Sequence, residues 1–103
     1  MAVMKIHEMS RDERLDFLKK AAGVSNIEEM LRPLSFDDAN MMVENAIGSM
    51  SVPMGIATNF VINGKELLIP MAIEEPSVIA AASKAAKIAK INGGFTAEAA
   101  SLS

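Results

Sequence analysis

In the first 45 positions, apolar residues recur at helical spacing in three short runs, and each run starts near a serine that could cap a helix. The serines are Ser10, Ser25 and Ser35. The first two are each followed three positions later by a glutamate, which is the spacing of a capping box. Gly23 offers a left-handed end to the first run, and Pro33 limits the second. We therefore predict three short helices.

The apolar positions of these helices predict their buried faces. Leu15, Leu18 and Ala22 share one face of the first helix. In the third helix, Asp37 and Asp38 suit the first turn, where the helix dipole favours acids. The buried side of that helix is predicted to consist of Phe36, Ala39 and Val43.

From position 46 the spacing changes from helical to extended. Asn63 and Gly64 separate an extended run at 56–62 from a second at 65–73, and this pair favours the type I′ turn of a β-hairpin. Pro70 cannot donate to a ladder, which indicates an edge position or a bulge. The continuous apolar run at 67–69 indicates that other structure covers part of the hairpin.

A long alanine-rich helix is predicted after the hairpin. Pro76 suits the first helical position, which would make Glu75 the N-cap or its neighbour. Val78, Ala82, Ala85 and Ala89, flanked by Ile79, Ala86 and Ile88, are predicted to pack, whereas Ser83, Lys84, Lys87 and Lys90 are predicted to face water. The helix should stop at residues 92–94, and the tail after it has no predicted strand or core.

These elements predict an α+β fold with short N-terminal helices, a β-hairpin and a long alanine-rich helix. Two regions are expected: a helical segment at 1–45 and the start of a larger domain at 46–103. The unfinished tail indicates a chain that stops short of its complete domain.

Composition narrows the classes of function. The net charge of −3 disfavours a nucleic-acid partner, which would require clustered Lys and Arg. With no cysteine and one histidine, the usual metal sites are not expected. No run reaches the roughly 18 apolar residues of a membrane span, and the first residues do not form a signal peptide. A cytoplasmic protein without a membrane partner is expected.

Several residue groups allow a functional and a structural interpretation. Phe36, Met41, Met42 and Met50 could form a soft ligand-binding surface, but at helical spacing we assign them to the core or a subunit interface. His7, in a polar segment, is assigned to solvent. Glu74 and Glu75 are adjacent and cannot face each other as a hydrolase carboxylate pair, so at most one serves a given site. Their structural interpretation is that they cap the helix at Pro76.

Five sequence motifs, taken in order, favour a functional interpretation over the structural one. They are ENAIG at 44–48, VPMGIATNF at 52–60, INGK at 62–65, IPMAIEEPSV at 69–78 and NGGF at 92–95. Together they resemble the 3-hydroxy-3-methylglutaryl-CoA reductases, and the EEPS and GGF versions resemble the second class, found in bacteria and archaea. The resemblance is clear over residues 40–96.

The resemblance implies an oxidoreductase of isoprenoid biosynthesis that reduces hydroxymethylglutaryl-CoA to mevalonate and free coenzyme A with NADPH or NADH, or runs the reverse reaction. By position, Glu75 matches the family's catalytic glutamate, and Ser77 matches a serine that contacts the hydroxymethylglutaryl group. Glu44, Asn45 and Gly48 match a segment near the active site and the dimer interface. A homo-oligomer, a dimer or higher, is implied.

The chain also departs from the family pattern. The family's catalytic lysine, aspartate and histidine have no counterpart here, and the nucleotide-binding insert that would hold the NADPH or NADH is absent. We therefore expect the 103-residue chain to be an N-terminal part that is inactive by itself. The alternative is a non-catalytic small domain that self-associates or binds an acyl-CoA without reducing it.

Overall fold

The structure is a computed structural model that describes residues 5–100. The chain divides into two compact units, Met1–Ser51 and Val52–Ser103, and each is described by itself. The first contains a 3₁₀ turn at Ile6–Glu8 and the helices α1 (Arg11–Ala22), α2 (Ile27–Met30) and α3 (Phe36–Met42). The second contains β1 (Met54–Ile62), β2 (Lys65–Ala72) and α4 (Val78–Lys90). The predicted α+β composition is confirmed, although the 3₁₀ turn was not predicted.

The helix α1 has both predicted ends. The hydroxyl of Ser10 accepts from the backbone N–H of Glu13 at 3.1 Å, and the Glu13 carboxylate accepts from the N–H of Ser10 at 3.0 Å. These reciprocal bonds satisfy two N–H groups that a helix start otherwise leaves free. At the other end Gly23 is left-handed, with φ 67°. Ser10 and Gly23 therefore fix the length of α1.

The prediction for the second helix is wrong in detail. Asn26, not Ser25, precedes α2, and no side chain caps it. The helix ends at Met30, well before Pro33, and has a single turn of four residues. A sequence spacing of three is necessary for a capping box but insufficient, because the serine must also occupy the last non-helical position.

The helix α3 starts as predicted, but its buried face is wrong. The Ser35 hydroxyl accepts from the N–H of Asp38 at 3.1 Å. Ala39 is buried, whereas Phe36 and Val43 remain 52% and 55% exposed. In the part of this unit that the structure describes, only Ile27 and Ala39 are buried. The apolar side of α3 is therefore only partly covered by the residues of this unit that the structure describes.

The predicted hairpin is confirmed. Asn63 and Gly64 have φ values of 51° and 78°, as a type I′ turn requires, and β1 pairs antiparallel with β2. One register shift lies between Ala57 and Phe60, so two residues of β1 oppose one residue of β2. The bulge is thus in β1 and not at Pro70, which pairs with Ile56 at the edge of the described sheet.

The helix α4 packs on β1 through small side chains. Ala57 of the strand and Ala86 of the helix are almost fully buried. Gly55 also permits close contact, because a Cβ there would lie 2.5 Å from the Ile79 Cδ1. The predicted faces need correction at three positions: Ser83 turns toward β1, whereas Ala85 and Ile88 are exposed. Ser83 was assigned to water because it is polar, although it lies four residues after the packed Ile79 and therefore on the same face.

The tail is more engaged than predicted. Phe95 forms a parallel bridge with Ile62, and its ring stacks on Phe60 with centroids 5.6 Å apart. The Asn63 side chain donates to the Ala97 carbonyl and accepts from the Ala97 N–H, both at 3.0 Å. The chain after α4 therefore continues the sheet on the free edge of β1.

Candidate functional site

The corner at residues 73–77 joins β2 to α4 and carries the two predicted site residues of the second unit. The N–H of Ile73 donates to the Pro53 carbonyl at 3.0 Å, which fixes the start of the corner to the chain preceding β1. At its end, Ser77 is the N-cap of α4, and its carbonyl accepts from the N–H of Ala81 at 2.8 Å. Both ends of the corner are therefore held by backbone hydrogen bonds.

The structural interpretation of the glutamates is wrong. The helix α4 starts at Val78, two residues later than Pro76, and no side chain caps it. Ser77 itself adopts a left-handed conformation, φ 72° and ψ −12°, which is uncommon for a non-glycine residue. In this conformation its side chain does not bond the first turn of α4. Neither the Glu75 side chain nor the Ser77 side chain makes a capping hydrogen bond to the helix.

Glu75 and Ser77 are both exposed, as is Glu74. An exposed carboxylate can accept hydrogen bonds and exchange a proton, and an exposed hydroxyl can donate to or accept from a bound group. The corner therefore presents two groups capable of acid–base chemistry and of hydrogen bonding. An apolar, water-poor setting around them would have to come from other structure.

The remaining predicted residues lie in the first unit, after α3. Asn45 has φ 56°, which asparagine tolerates better than most residues, and Gly48 has φ 155°. Glu44, Asn45 and Gly48 are all exposed. His7 is also exposed, with its Nε2 3.8 Å from the Glu8 carboxylate, in agreement with its assignment to solvent.

Phe36, Met41, Met42 and Met50 were assigned to the core or an interface. Their exposed fractions are 52%, 86%, 70% and 94%, so in the described unit none belongs to the core. The chain contains nine methionines, and several of them lie at the surface. The interface interpretation remains a prediction.

Sequence reasoning missed Ser83 and Asn59. The N–H of Thr58 donates to the Ser83 hydroxyl at 2.9 Å, and the Asn59 side-chain amide donates to the Ser83 carbonyl at 3.2 Å. The available signal was spacing, because Ser83 lies four residues after Ile79 and three before Ala86, both of which are on the packed face.

The described residues contain no glycine-rich strand-to-helix turn of the kind that binds a nicotinamide dinucleotide in doubly wound folds. Those folds bind the cofactor where a strand leads into a helix through such a turn, with its pyrophosphate at the helix N-terminus. The corresponding junction here is the corner at 73–77, which contains two glutamates and no glycine, and like charge would repel the pyrophosphate. Among residues 5–100 there is also no group of three side chains placed to hold a metal ion.

Comparison with known proteins identifies the family of this chain. The family model described as Hydroxymethylglutaryl-coenzyme A reductase matches residues 10–102. The chain belongs to this family. A 3-hydroxy-3-methylglutaryl-coenzyme A reductase from Archaeoglobus fulgidus is 50% identical over 95 residues, covering 89% of this chain and 22% of that protein. A probable reductase from Borreliella burgdorferi is 55% identical over 47 residues, covering 46% of this chain and 11% of that protein.

Solved structures agree with the family assignment. A hydroxymethylglutaryl-coenzyme A reductase from Streptococcus pneumoniae matches with a TM-score of 0.80 at 37% identity, over 93% of this chain and 24% of that one. A structure described as the class II reductase of the same organism, bound to NADPH in open conformations, matches with a TM-score of 0.81 over 95% of this chain and 28% of that one. The resemblance to the second class of reductases is confirmed.

The chain thus spans between 22% and 28% of the length of the Archaeoglobus fulgidus and Streptococcus pneumoniae reductases. In the part of the chain that the structure describes, no helix is long and apolar enough to cross a membrane.

Proposed function

We propose that this chain is the N-terminal part of an enzyme that reduces 3-hydroxy-3-methylglutaryl-CoA to mevalonate, or catalyses the reverse. The observation that supports this most is the family match over residues 10–102, which includes the exposed corner with Glu75 and Ser77. The overall reaction consumes two hydrides from NADPH or NADH and two protons, and it releases free coenzyme A. The hydride donor would be bound by a domain outside this chain.

Within that reaction, Glu75 is proposed to exchange a proton with the reacting group, and Ser77 to hydrogen-bond the hydroxymethylglutaryl group. Two features of the corner support these roles. Neither side chain is used to cap α4, and both are exposed. A left-handed serine is also a strained conformation, and such residues cluster at functional sites. Glu74 is exposed as well, but the resemblance gives no role to this position.

The segment after α3 is proposed to contribute to the active site or to a subunit interface. Glu44, Asn45 and Gly48 are exposed and therefore available for either. A homo-oligomer and a cytoplasmic location are proposed with this function. So is the division of the chain into a helical segment at 1–45 and the start of a substrate-binding domain at 46–103.

The test compares two adjacent carboxylates in the complete gene product that contains this chain. Reductase activity is followed by the nicotinamide absorbance with hydroxymethylglutaryl-CoA as substrate. We expect Glu75→Gln to lower kcat by at least about 100-fold, in the range that general acid–base groups contribute, with folding retained. The matched variant Glu74→Gln should keep kcat within about twofold.

Three outcomes separate the possibilities. Wild-type activity in both variants would overturn the catalytic role of Glu75 and leave only the family assignment. A wild-type protein that binds the acyl-CoA without oxidising NADPH or NADH would support the non-catalytic binding module. Loss of activity in Glu75→Gln alone would support the proposed catalytic glutamate.

A further inference from the structure

Ser83 makes two hydrogen bonds that join α4 to β1. Its hydroxyl accepts from the N–H of Thr58 at 2.9 Å, and its carbonyl accepts from the side-chain amide of Asn59 at 3.2 Å. Both bonds are partly buried and connect residues 24 and 25 positions apart. The helix and the strand are therefore connected by directional contacts as well as by apolar packing.

The two donors belong to the bulge of β1. Thr58 and Asn59 lie in the register shift between Ala57 and Phe60, where one residue of β2 faces two residues of β1. Asn59 adopts φ 69°, a left-handed conformation that asparagine tolerates better than most residues. A bulge leaves one residue outside the regular ladder of backbone hydrogen bonds. Here the N–H of Thr58 donates to the Ser83 hydroxyl instead. The bulge and Ser83 are thus parts of one connection.

Apolar contacts alone would not fix the position of α4 along β1. The packed positions on both sides are small, with Ala57 and Ala86 buried and Gly55 against Ile79. Burial of apolar surface is non-directional, whereas a hydrogen bond weakens over a few tenths of an ångström. The exposed ion pair between Lys90 and Glu66, at 2.9 Å near the other end of α4, adds little. Ser83 therefore supplies the directional contacts between the middle of α4 and β1, while the backbone bonds of Phe95 hold the chain after the helix.

The position of α4 along β1 sets the position of the corner at residues 73–77. Ser77 lies six residues before Ser83, about 9 Å along a helix, and a helix transmits a displacement along its axis as a rigid rod. The other end of the corner is fixed by the bond from Ile73 to Pro53. A shift of α4 along β1 would therefore move Glu75 and Ser77 relative to the hairpin.

We propose that Ser83, with Asn59, is a positioning residue that fixes α4 on the bulge of β1 and thereby holds Glu75 and Ser77 where the reductase needs them. This role rests on the function proposed above. It assigns to a half-buried serine, distant from the reacting groups, an effect on the reaction rate.

The test uses the complete gene product and the same reductase assay. Ser83→Ala removes the acceptor of the Thr58 bond. Asn59→Asp keeps the size and the left-handed conformation but replaces the donor to the Ser83 carbonyl with a carboxylate oxygen. We expect each variant to lower kcat/KM about tenfold or more, since a misplacement of about 1 Å can cost about 100-fold. Ser25→Ala, which removes a hydroxyl that caps no helix, should leave kcat/KM unchanged.

A double-mutant cycle with Ser77→Ala separates positioning from stability. If Ser83 acts through the corner, Ser83→Ala should lower kcat/KM less in the Ser77→Ala background than in the wild type. The folded fraction is measured for each variant by circular dichroism. An activity loss that only follows the folded fraction, or fully additive losses in the cycle, would overturn the positioning role.

The two proposals fail in different ways. An active wild type, with Ser83→Ala and Asn59→Asp folded and equally active, would overturn the positioning role and leave the reductase function intact. An inactive wild type would contradict the reductase function first, and the positioning role with it.

Discussion

At the scale of single residues, two consecutive glycines after α4 share a backbone conformation but differ in their surroundings. Gly93 and Gly94 have φ values of 94° and 88°. A Cβ on Gly93 would meet open space, whereas a Cβ on Gly94 would overlap the Val61 carbonyl oxygen and lie 2.7 Å from the Val61 Cβ. The close approach is what allows Phe95 to reach the edge of β1.

Alanine substitutions at Gly93 and Gly94 therefore form a matched pair, because only the second places a Cβ against β1. We expect Gly93→Ala to lower the free energy of unfolding by about 1 kcal/mol, the cost of a left-handed alanine. Gly94→Ala should lower it by about 3 kcal/mol, because overlap with the strand adds to that cost. Chemical denaturation followed by circular dichroism measures both. Equal losses would show that Phe95 does not hold the chain against β1.

Residue identity also explains why part of the proposed site could be predicted. The EEPS motif pointed to Glu75 and Ser77 without any structure, because a family resemblance depends on residue types in order, and their roles remain a prediction. It did not give the conformation of Ser77, which is set by how β2 and α4 meet. Nor did it reveal Ser83 as a contact, since a serine among alanines and lysines has the composition of a solvated face.

At the scale of elements, local signals were accurate where one residue decides the backbone. Asn63 and Gly64 fixed the hairpin turn, and Ser10 and Gly23 fixed the ends of α1. The predictions were wrong where tertiary contacts decide. The start of α4, the single turn of α2 and the bulge of β1 each depend on what the chain packs against, which a local pattern does not contain.

The first unit contains two carboxyls whose pKa values lie below the usual glutamate range. Hydrogen bonds from the backbone and then the side chain of Ser10 lower the pKa of Glu13. For Glu28, the hydrogen bond from Lys19, with 2.5 Å between Nζ and Oε1, is the largest cause of its lowered pKa. One carboxylate belongs to the start of α1, and the other connects α2 to the Lys19 side chain near the end of α1.

These shifts predict a stability that depends on pH. A carboxyl with a lowered pKa in the folded state binds its proton more readily when unfolded, so its contribution is present above the ordinary glutamate pKa of about 4.3 and is lost as the pH falls through the lower folded value. We expect the melting temperature to fall with acidification in that window. The double variant Glu13→Gln/Glu28→Gln should show a smaller fall, measured by circular dichroism at low salt. An identical acid profile in the variant would contradict this assignment.

At the scale of the whole molecule, the exposed apolar side chains stand out. Ile47, Met50 and Met41 are 99%, 94% and 86% exposed in the first unit, and Ile91 is 80% exposed in the second. Soluble proteins rarely leave so many large apolar side chains uncovered without a partner surface. This chain covers only a small share of the related reductases. Most of each of those proteins lies outside the matched region, which also leads us to expect a partner surface for these side chains.

The chain as given should therefore associate. We expect sedimentation of the 103-residue chain to show a mass that rises with concentration, because burying each of these side chains is worth about 1.5 to 3 kcal/mol. The triple variant Met41→Gln/Ile47→Gln/Met50→Gln should shift the protein toward monomer. Ile91→Gln, which removes a single apolar side chain of similar exposure from the other unit, should have a smaller effect. A monomer at every concentration would contradict the role of residues 41–50 as an interface, and an equal effect of the two variants would make the association non-specific.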